Sequence, residues 1–160
     1  MKNASFVVEF ITHCLANSTG PNGERDVFQR DANDDLVFQQ SAWYSAFAQS
    51  IDLAHVKGIK ASDINMNLSV QADTEVYERR YQGDKFRTHE AIMPGSRVKF
   101  EAVVADHVTE SNLTQILNNM GKFTGFSPYG HKLGNGKFNL VSVVIAPSEG
   151  QLSDEQRGNI

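Results

Sequence analysis

The stretch LTQILNNMGKFTGFSPYGHKLGNGKFNLVSVVIAP, Leu113 to Pro147, decides how this chain closes. It reads as a short helix, a glycine-punctuated loop and a terminal strand. Gly121, Gly125, Gly130, Gly134 and Gly136 are interleaved there with Lys122, Lys132, Lys137 and His131. Glycine lets a backbone turn where other residues clash and lets another group approach it closely. Such a loop either closes a fold or holds a ligand that carries phosphates.

The elements on either side follow from periodicity. Leu113, Ile116, Leu117 and Met120 form one face of a helix over Glu110–Met120, capped by Asp106 or Thr109 and ended by Gly121. The last strand, Lys137–Ala146, has Phe138, Leu140 and Val144 opposite Val141, Val143 and Ile145. Both faces are apolar, which predicts a central position in a sheet. Arg97–Ala105 alternates cleanly, with Val98, Phe100, Ala102 and Val104 inward and Arg97, Lys99 and Glu101 outward. Asp63–Gln71 does the same: Ile64, Met66, Leu68 and Val70 face one way, and Asn65, Asn67 and Ser69 the other. Ser5–Leu15 predicts a first strand with Phe6, Val8 and Phe10 on one side and His13 near its end. Ser41 is read as the N-cap of a first helix with a Trp43, Phe47, Ile51 and Ala54 stripe, ended by Gly58.

Two intervals are irregular. Asn17–Asp35 is turn material, with Gly20-Pro21 and Asn22-Gly23. Its DANDD run resembles half of a calcium loop but lacks that loop's glycine and downstream glutamate, so it reads as a tight turn into Leu36–Phe38. Ala72–Met93 interleaves Tyr77, Tyr81 and Phe86 with Arg79, Arg80, Lys85 and Arg87, and Gln82-Gly83-Asp84 reads as a hairpin tip. Aromatics between cations suit base stacking with phosphate contact. Asp73, Glu75, Glu78, Asp84 and Glu90 balance the charge, so the segment is either a solvated hairpin or a functional arm.

The order β-α-β-β-α-β is α+β and predicts a ferredoxin-like, RRM-like split βαβ fold with a hairpin inserted between core strands two and three. Right-handed crossovers then put both helices on one face; strands one and four are expected at the centre. Residues 1–147 form one domain and 148–160 a polar tail. The net charge of −4 excludes a protein that coats nucleic acid by bulk charge, leaving only a local patch for that task. No stretch approaches the roughly 20 apolar residues of a membrane helix. The N-terminal apolar run is interrupted by Glu9 and reads as folded chain rather than signal peptide. A single cysteine, Cys14, excludes an internal disulfide and fits a cytoplasmic protein. No phosphate-loop or serine-hydrolase motif is present, and no metal or cofactor is expected.

Three segments carry a family resemblance. DVFQRDANDDLVFQQSAWYSAFAQSI, residues 26–51, is similar to the region leading into the first helix in the RAMP superfamily of CRISPR-associated proteins. Arg30, Asp31, Asn33, Leu36, Phe38 and Ser41 match that pattern, with Asp35 in place of its glycine. MPGSRVKFEAVV, 93–104, looks like the family's third core strand. LNNMGKFTGFSPYGHKLGNGKFNLVSV, 117–143, looks like its glycine-rich signature, with Gly134, Gly136, Lys137 and Phe138 matching the closing run. The resemblance implies a backbone-type subunit that binds RNA without sequence preference, stacks side by side along it, and uses an inserted hairpin as a thumb. The chain departs from that type in being shorter and acidic, which implies a minimal, stand-alone or phage-encoded relative.

Three functions follow. The first is non-catalytic binding of single-stranded RNA through Arg30, Ser41, Arg79, Arg80, Tyr81, Lys85, Arg87, Arg97, Lys132, Gly134, Gly136 and Lys137. The second is a structural or inhibitory protein that mimics a subunit, with self-association or CRISPR-type complex subunits as partners. The third is a small metal-independent endoribonuclease using His13 and His131, with Lys132 stabilising charge at the phosphate.

Overall fold

A computed structural model describes residues 1–16, 18–19, 26–81, 83, 85–128 and 134–146. The expected turns at Gly20–Gly23, the hairpin-tip residues Gln82 and Asp84, His131, Lys132 and the polar tail lie outside these residues, as does the side chain of Tyr81.

The architecture is α+β, with mostly antiparallel sheets and two α-helices among the described residues. The main sheet contains β1 (Lys2–Phe10), β7 (Ile64–Met66), β11 (Arg97–Val104) and β12 (Phe138–Ala146), in the order β12-β1-β11-β7 and antiparallel throughout. The helices α1 (Gln40–Ala54) and α2 (Glu110–Asn119) pack on each other. Alternation fixes the core. Ala4, Phe6, Val8 and Phe10 of β1 and Val98, Phe100, Ala102 and Val104 of β11 are buried, as are Trp43, Phe47, Leu113, Ile116 and Leu117 from the helices. Burying each large side chain contributes on the order of 1.5–3 kcal/mol. The centre is aromatic: the rings of Trp43 and Phe126 stack at 3.6 Å, and Phe6, Phe38 and Phe100 meet Trp43 edge-on.

Two smaller sheets lie beside the main one. β2 (Cys14–Leu15), β10 (Lys85–Ile92), β4 (Asp26–Val27) and β3 (Ser18–Thr19) form the second, with β9 (Glu75–Tyr81) paired along β10 as a hairpin. β5 (Gln29–Arg30), β6 (Leu36–Val37) and β8 (Ser69–Val70) form the third.

Four expectations need correction. The last strand is not central: β12 is an edge strand, with Val141 43% and Val144 55% exposed. Its double-sided apolar pattern comes from a bulge. The register against β1 shifts between Val7 and Val8, so Val141 is an extra residue. Phe138 and Leu140 before the bulge, and Val143 and Ile145 after it, therefore all pack toward the core. The predicted strand over Asp63–Gln71 is two strands in different sheets. Asn67 breaks it: its side-chain oxygen accepts from the Ser69 amide at 3.1 Å while its own amide donates to the Glu101 carbonyl. The first strand stops at Phe10 because Thr12 turns the chain, its hydroxyl donating to the Gly134 carbonyl and accepting from the Lys137 amide, both at 2.8 Å. The first helix begins at Gln40, with Gln39 rather than Ser41 as N-cap, and ends at His55 in the left-handed region (φ 53), not at Gly58.

Candidate nucleic-acid interface

The glycine-rich segment is first of all a closure. α2 runs into a π-turn, Met120–Thr124, whose Gly121 lies directly over the start of β12; a Cβ there would sit 2.3 Å from the Phe138 carbonyl oxygen. Gly136 combines φ +78 with a virtual Cβ 2.0 Å from the Phe126 carbonyl oxygen, so neither the backbone angle nor the space admits a side chain. The amide of Phe126 donates to the Gly136 carbonyl at 2.8 Å, and the amide of Gly136 donates to the His13 carbonyl at 2.7 Å. Ser127 completes the seam: its hydroxyl accepts from the Leu15 amide at 2.8 Å and donates to the Leu15 carbonyl at 3.3 Å. Gly134 differs. It needs φ +89, but no atom lies within 4 Å of its virtual Cβ.

The same segment forms one wall of a groove. Thr124, Gly125, Phe126, Ser127 and Pro128 face Gln39, Ser41, Ala42, Ser45, Ala46 and Gln49 of α1 across a space of about 230 Å³. Residues at four-residue spacing lie on one helix face, so Ser41, Ser45 and Gln49 make a small polar stripe beside the buried Trp43–Phe47 stripe. Gln39 contributes no side-chain hydrogen bond to the α1 N-terminus, and the first turn holds no acid. By contrast, Thr109 caps α2 in a reciprocal pair with Asn112. First-turn amides without a side-chain cap, at the positive end of the helix dipole, favour an anion. Gln39, Ala42 and Pro128 also line a narrow cleft against Val27, Phe28 and Gln29, which continues the surface toward the hairpin.

Strand alternation sorts the hairpin's mixed composition. The register sets Arg79 opposite Arg87, Tyr77 opposite His89 and Tyr81 opposite Lys85, all in one alternating set. The other set pairs Arg80 with Phe86, Glu78 with Thr88 and Val76 with Glu90. The first face thus carries Arg79, Lys85 and Arg87 with Glu75 at its base, and the second carries both Glu78 and Glu90. On the second face Arg80 lies over the exposed Phe86 ring, 5.2 Å from its centroid. On the first, the rings of Tyr77 and His13 stack at 3.9 Å. His13 thereby joins the hairpin to the Gly136 seam, and Lys137 follows one residue on. Partial burial holds the His13 imidazole below its ordinary value, so it is neutral at pH 7.

The remaining candidates lie apart from the groove. Arg30 pairs with Glu90 and, at 3.9 Å, with Asp34. Arg97 pairs with Glu9 at 3.1 Å. Together they line a polar hollow of about 580 Å³ with Asp34, Asp35, Gln71 and Asp73, whose acids oppose a phosphate. Arg87 is engaged by Asp26 in a two-point pair at 2.7 and 3.0 Å. In the DANDD turn, Asp31 accepts from the amides of Asn33 and Asp35, and it is Asp34, not Asp35, that adopts φ 64, the left-handed conformation glycine favours. The Asp35 amide, chiefly, holds the Asp31 carboxyl below its usual range. Among the described residues no three His, Cys, Asp or Glu side chains gather as metal ligands would. Cys14 is buried, and burial pushes its thiol far up, which rules out a thiolate nucleophile.

Sequence reasoning missed Gln39, Ser45, Gln49 and Pro128. The Ser41-Ser45-Gln49 spacing was legible; the helix was read only for its apolar stripe. It also missed Asp26 and His89, which only the fold brings together.

No protein-family model and no curated protein sequence matches the chain. Among solved structures, it is similar to a chain of the Type III-B Cmr-beta complex, described by cryo-EM as bound to cognate target RNA. The TM-score is 0.59 at 12% identity, over 91% of this chain and 61% of that one. This chain therefore spans about three-fifths of its neighbour's length. No described helix is long and apolar enough to cross a membrane. At this identity the likeness is one of fold alone.

Proposed function

We propose that this chain is a non-catalytic, RAMP-like protein that holds single-stranded RNA along the groove between the start of α1 and the Gly125–Pro128 segment. In this reading, residues 1–147 are one domain with the ferredoxin-like split βαβ order, and β9–β10 is the inserted arm between core strands two and three. The sheet order β12-β1-β11-β7, with α1 leading from β1 toward β7 and α2 from β11 to β12, supports the fold assignment.

The observation that carries the function is the groove itself. Ser41 and the glycine-rich segment, over 80 residues apart in sequence, form opposite walls of one space. First-turn amides of α1 receive a phosphate, Ser41 and Ser45 offer hydroxyls to sugar and phosphate oxygens, and the strand continues toward the Arg79–Lys85 face of the arm. Gly134, Gly136 and Lys137 belong to the closure that the Phe126–Gly136 hydrogen bond joins to this wall, and Lys132 to the same sequence segment. Arg30, Arg97 and Arg87 are committed to carboxylates and serve the fold. The acidic whole suits weak, local binding rather than coating.

The test is a titration of an unstructured RNA about twenty nucleotides long at rising salt. Binding that weakens with a slope set by a few phosphate contacts, about −0.7 per contact, supports the reading. Absence of binding at low salt rejects it and leaves the interaction-protein alternative. That alternative has one specific support: β12 is a nine-residue edge strand without a charge, the kind of edge natural proteins usually protect.

A further inference from the structure

The flank of the main sheet made by β12 and α2 lines neither the groove nor the arm. Among the described residues no strand pairs with the outer side of β12. α2 packs on β12, and across both elements Glu110 is the one charged side chain, in a chain with 21% charged residues. Solvated edges are usually guarded by charge, whereas charge depletion beside exposed β-branched side chains is the composition of an interface core. The bulge at Val141 interrupts the edge but leaves Ser142–Ala146 in regular register.

Hydrogen-bond alternation decides which groups this stretch turns outward. The Phe10 amide donates to the Ser96 carbonyl and the Ile11 amide to the Lys137 carbonyl, so even-numbered residues of β1 bond toward β11 and odd-numbered ones toward β12. Asn3, Ser5 and Val7 therefore bond to Ala146, Val144 and Ser142. Val143 and Ile145 turn their amides and carbonyls to the outer side. Their side chains pack toward the core but stay half-buried at the rim of the sheet. Val144, 55% exposed, lies between them on the face away from the helices.

We propose that two copies of this chain join β12 to β12, antiparallel about a two-fold axis at Val144, so that their main sheets become one. In that register Val143 and Ile145 of one copy exchange amide and carbonyl bonds with Ile145 and Val143 of the second copy. On the helix face the same side chains cover each other's open flanks. On the other face the two Val144 side chains meet, and Ser142 lies opposite Ala146. The stretch is thus its own complement: no like charges are brought together, which one charged residue there would undo. The axis is perpendicular to the sheet, so both helix layers lie on one side and α2 of each copy borders the junction. The paired stretch spans about 17 Å, which puts the dimer at the weak end of specific interfaces. A closed two-fold uses the same edge in both copies, so assembly stops at two and needs no RNA.

Sedimentation of the intact chain without RNA, from low micromolar to near-millimolar concentration, tests this. The mass is expected to rise from one chain to two. Over the same range, amide exchange at Val143 and Ile145 should slow, while that at Val144, already paired with Ser5, should not change. Val144→Lys sets two ammonium groups side by side at the axis and should stay monomeric; the position is exposed, so the variant should fold. Val144→Cys, at a pair with Cα atoms about 4.5 Å apart, should be linked into a disulfide dimer by oxidised glutathione. Val141→Cys, which this register sets away from its own copy, should not be; Cys14 is buried and adds no accessible thiol. A wild-type chain that stays monomeric overturns the proposal, and protection of Val143 and Ile145 in that monomer would assign the edge to the chain's own residues 147–160 instead. Undiminished dimerisation of Val144→Lys, or equal cross-linking of the two cysteine variants, also overturns it. If Val144→Lys does not fold, the wild-type mass and the cysteine variants decide.

Discussion

The glycine-rich closure and the hairpin arm invert what their sequences advertise. The closure has the composition of a ligand loop, yet Gly121 and Gly136 are glycine because backbone carbonyls occupy the space a Cβ would need. The arm has the composition of an ordinary solvated hairpin, with its charges in near balance. Alternation separates those charges, leaving cations beside Tyr77 on one face and acids with Arg80 and Phe86 on the other. Glycine content therefore reports close packing before it reports binding, and charge balance along a strand says little about balance across its faces.

The largest expected effect breaks the closure. Gly136→Ala meets a backbone carbonyl and a strained φ together, and should cost about 3 kcal/mol or more, read as the shift in a denaturant midpoint. Gly134→Ala, strained in φ but spatially open, should cost about 1–2 kcal/mol. Equal costs at the two sites would remove the distinction between closure and spare glycine. Next comes the arm root. Asp26→Ala leaves Arg87 and His89 without their shared carboxylate, and should destabilise the arm by about 3 kcal/mol while β1 amides stay protected. Smaller effects sharpen the two faces of the arm. Lys85→Ala should lower RNA affinity several-fold and reduce the salt slope by about 0.7, one phosphate contact. Arg80→Ala should leave RNA affinity unchanged and cost about 0.5 kcal/mol through its lost contact with Phe86. Identical RNA effects from Lys85 and Arg80 would mean that the register does not sort the arm's function.

The elements that carry strict alternation were legible: Phe6, Val8 and Phe10, then Val98 to Val104, and the hairpin over Glu75–Ile92 all lie where periodicity puts them. The Thr109 cap was legible for the same local reason. What the sequence hid were events that depend on a partner strand. The bulge at Val141 makes an edge strand look double-faced and central. The Asn67 turn preserves alternation while moving the chain from one sheet to another. At the candidate site, Ser41 and the glycine segment were each legible as phosphate-binding candidates, because a helix start and a glycine-rich loop each have an intrinsic preference for phosphate. Ser45 and Gln49 were overlooked beside a stronger apolar stripe. Asp26 and His89 are 63 residues apart, and the β4–β10 pairing brings them together.

The most direct test of the central claim places a negative charge in the groove. Ser45 is exposed on the α1 face of that space and outside the closure, so Ser45→Glu should fold normally. Binding of a labelled single-stranded RNA is then measured for both proteins by fluorescence anisotropy at about 50 mM salt, where phosphate contacts count most. A groove that holds the RNA backbone predicts at least a tenfold loss of affinity in Ser45→Glu. Equal affinity in the two proteins would contradict it.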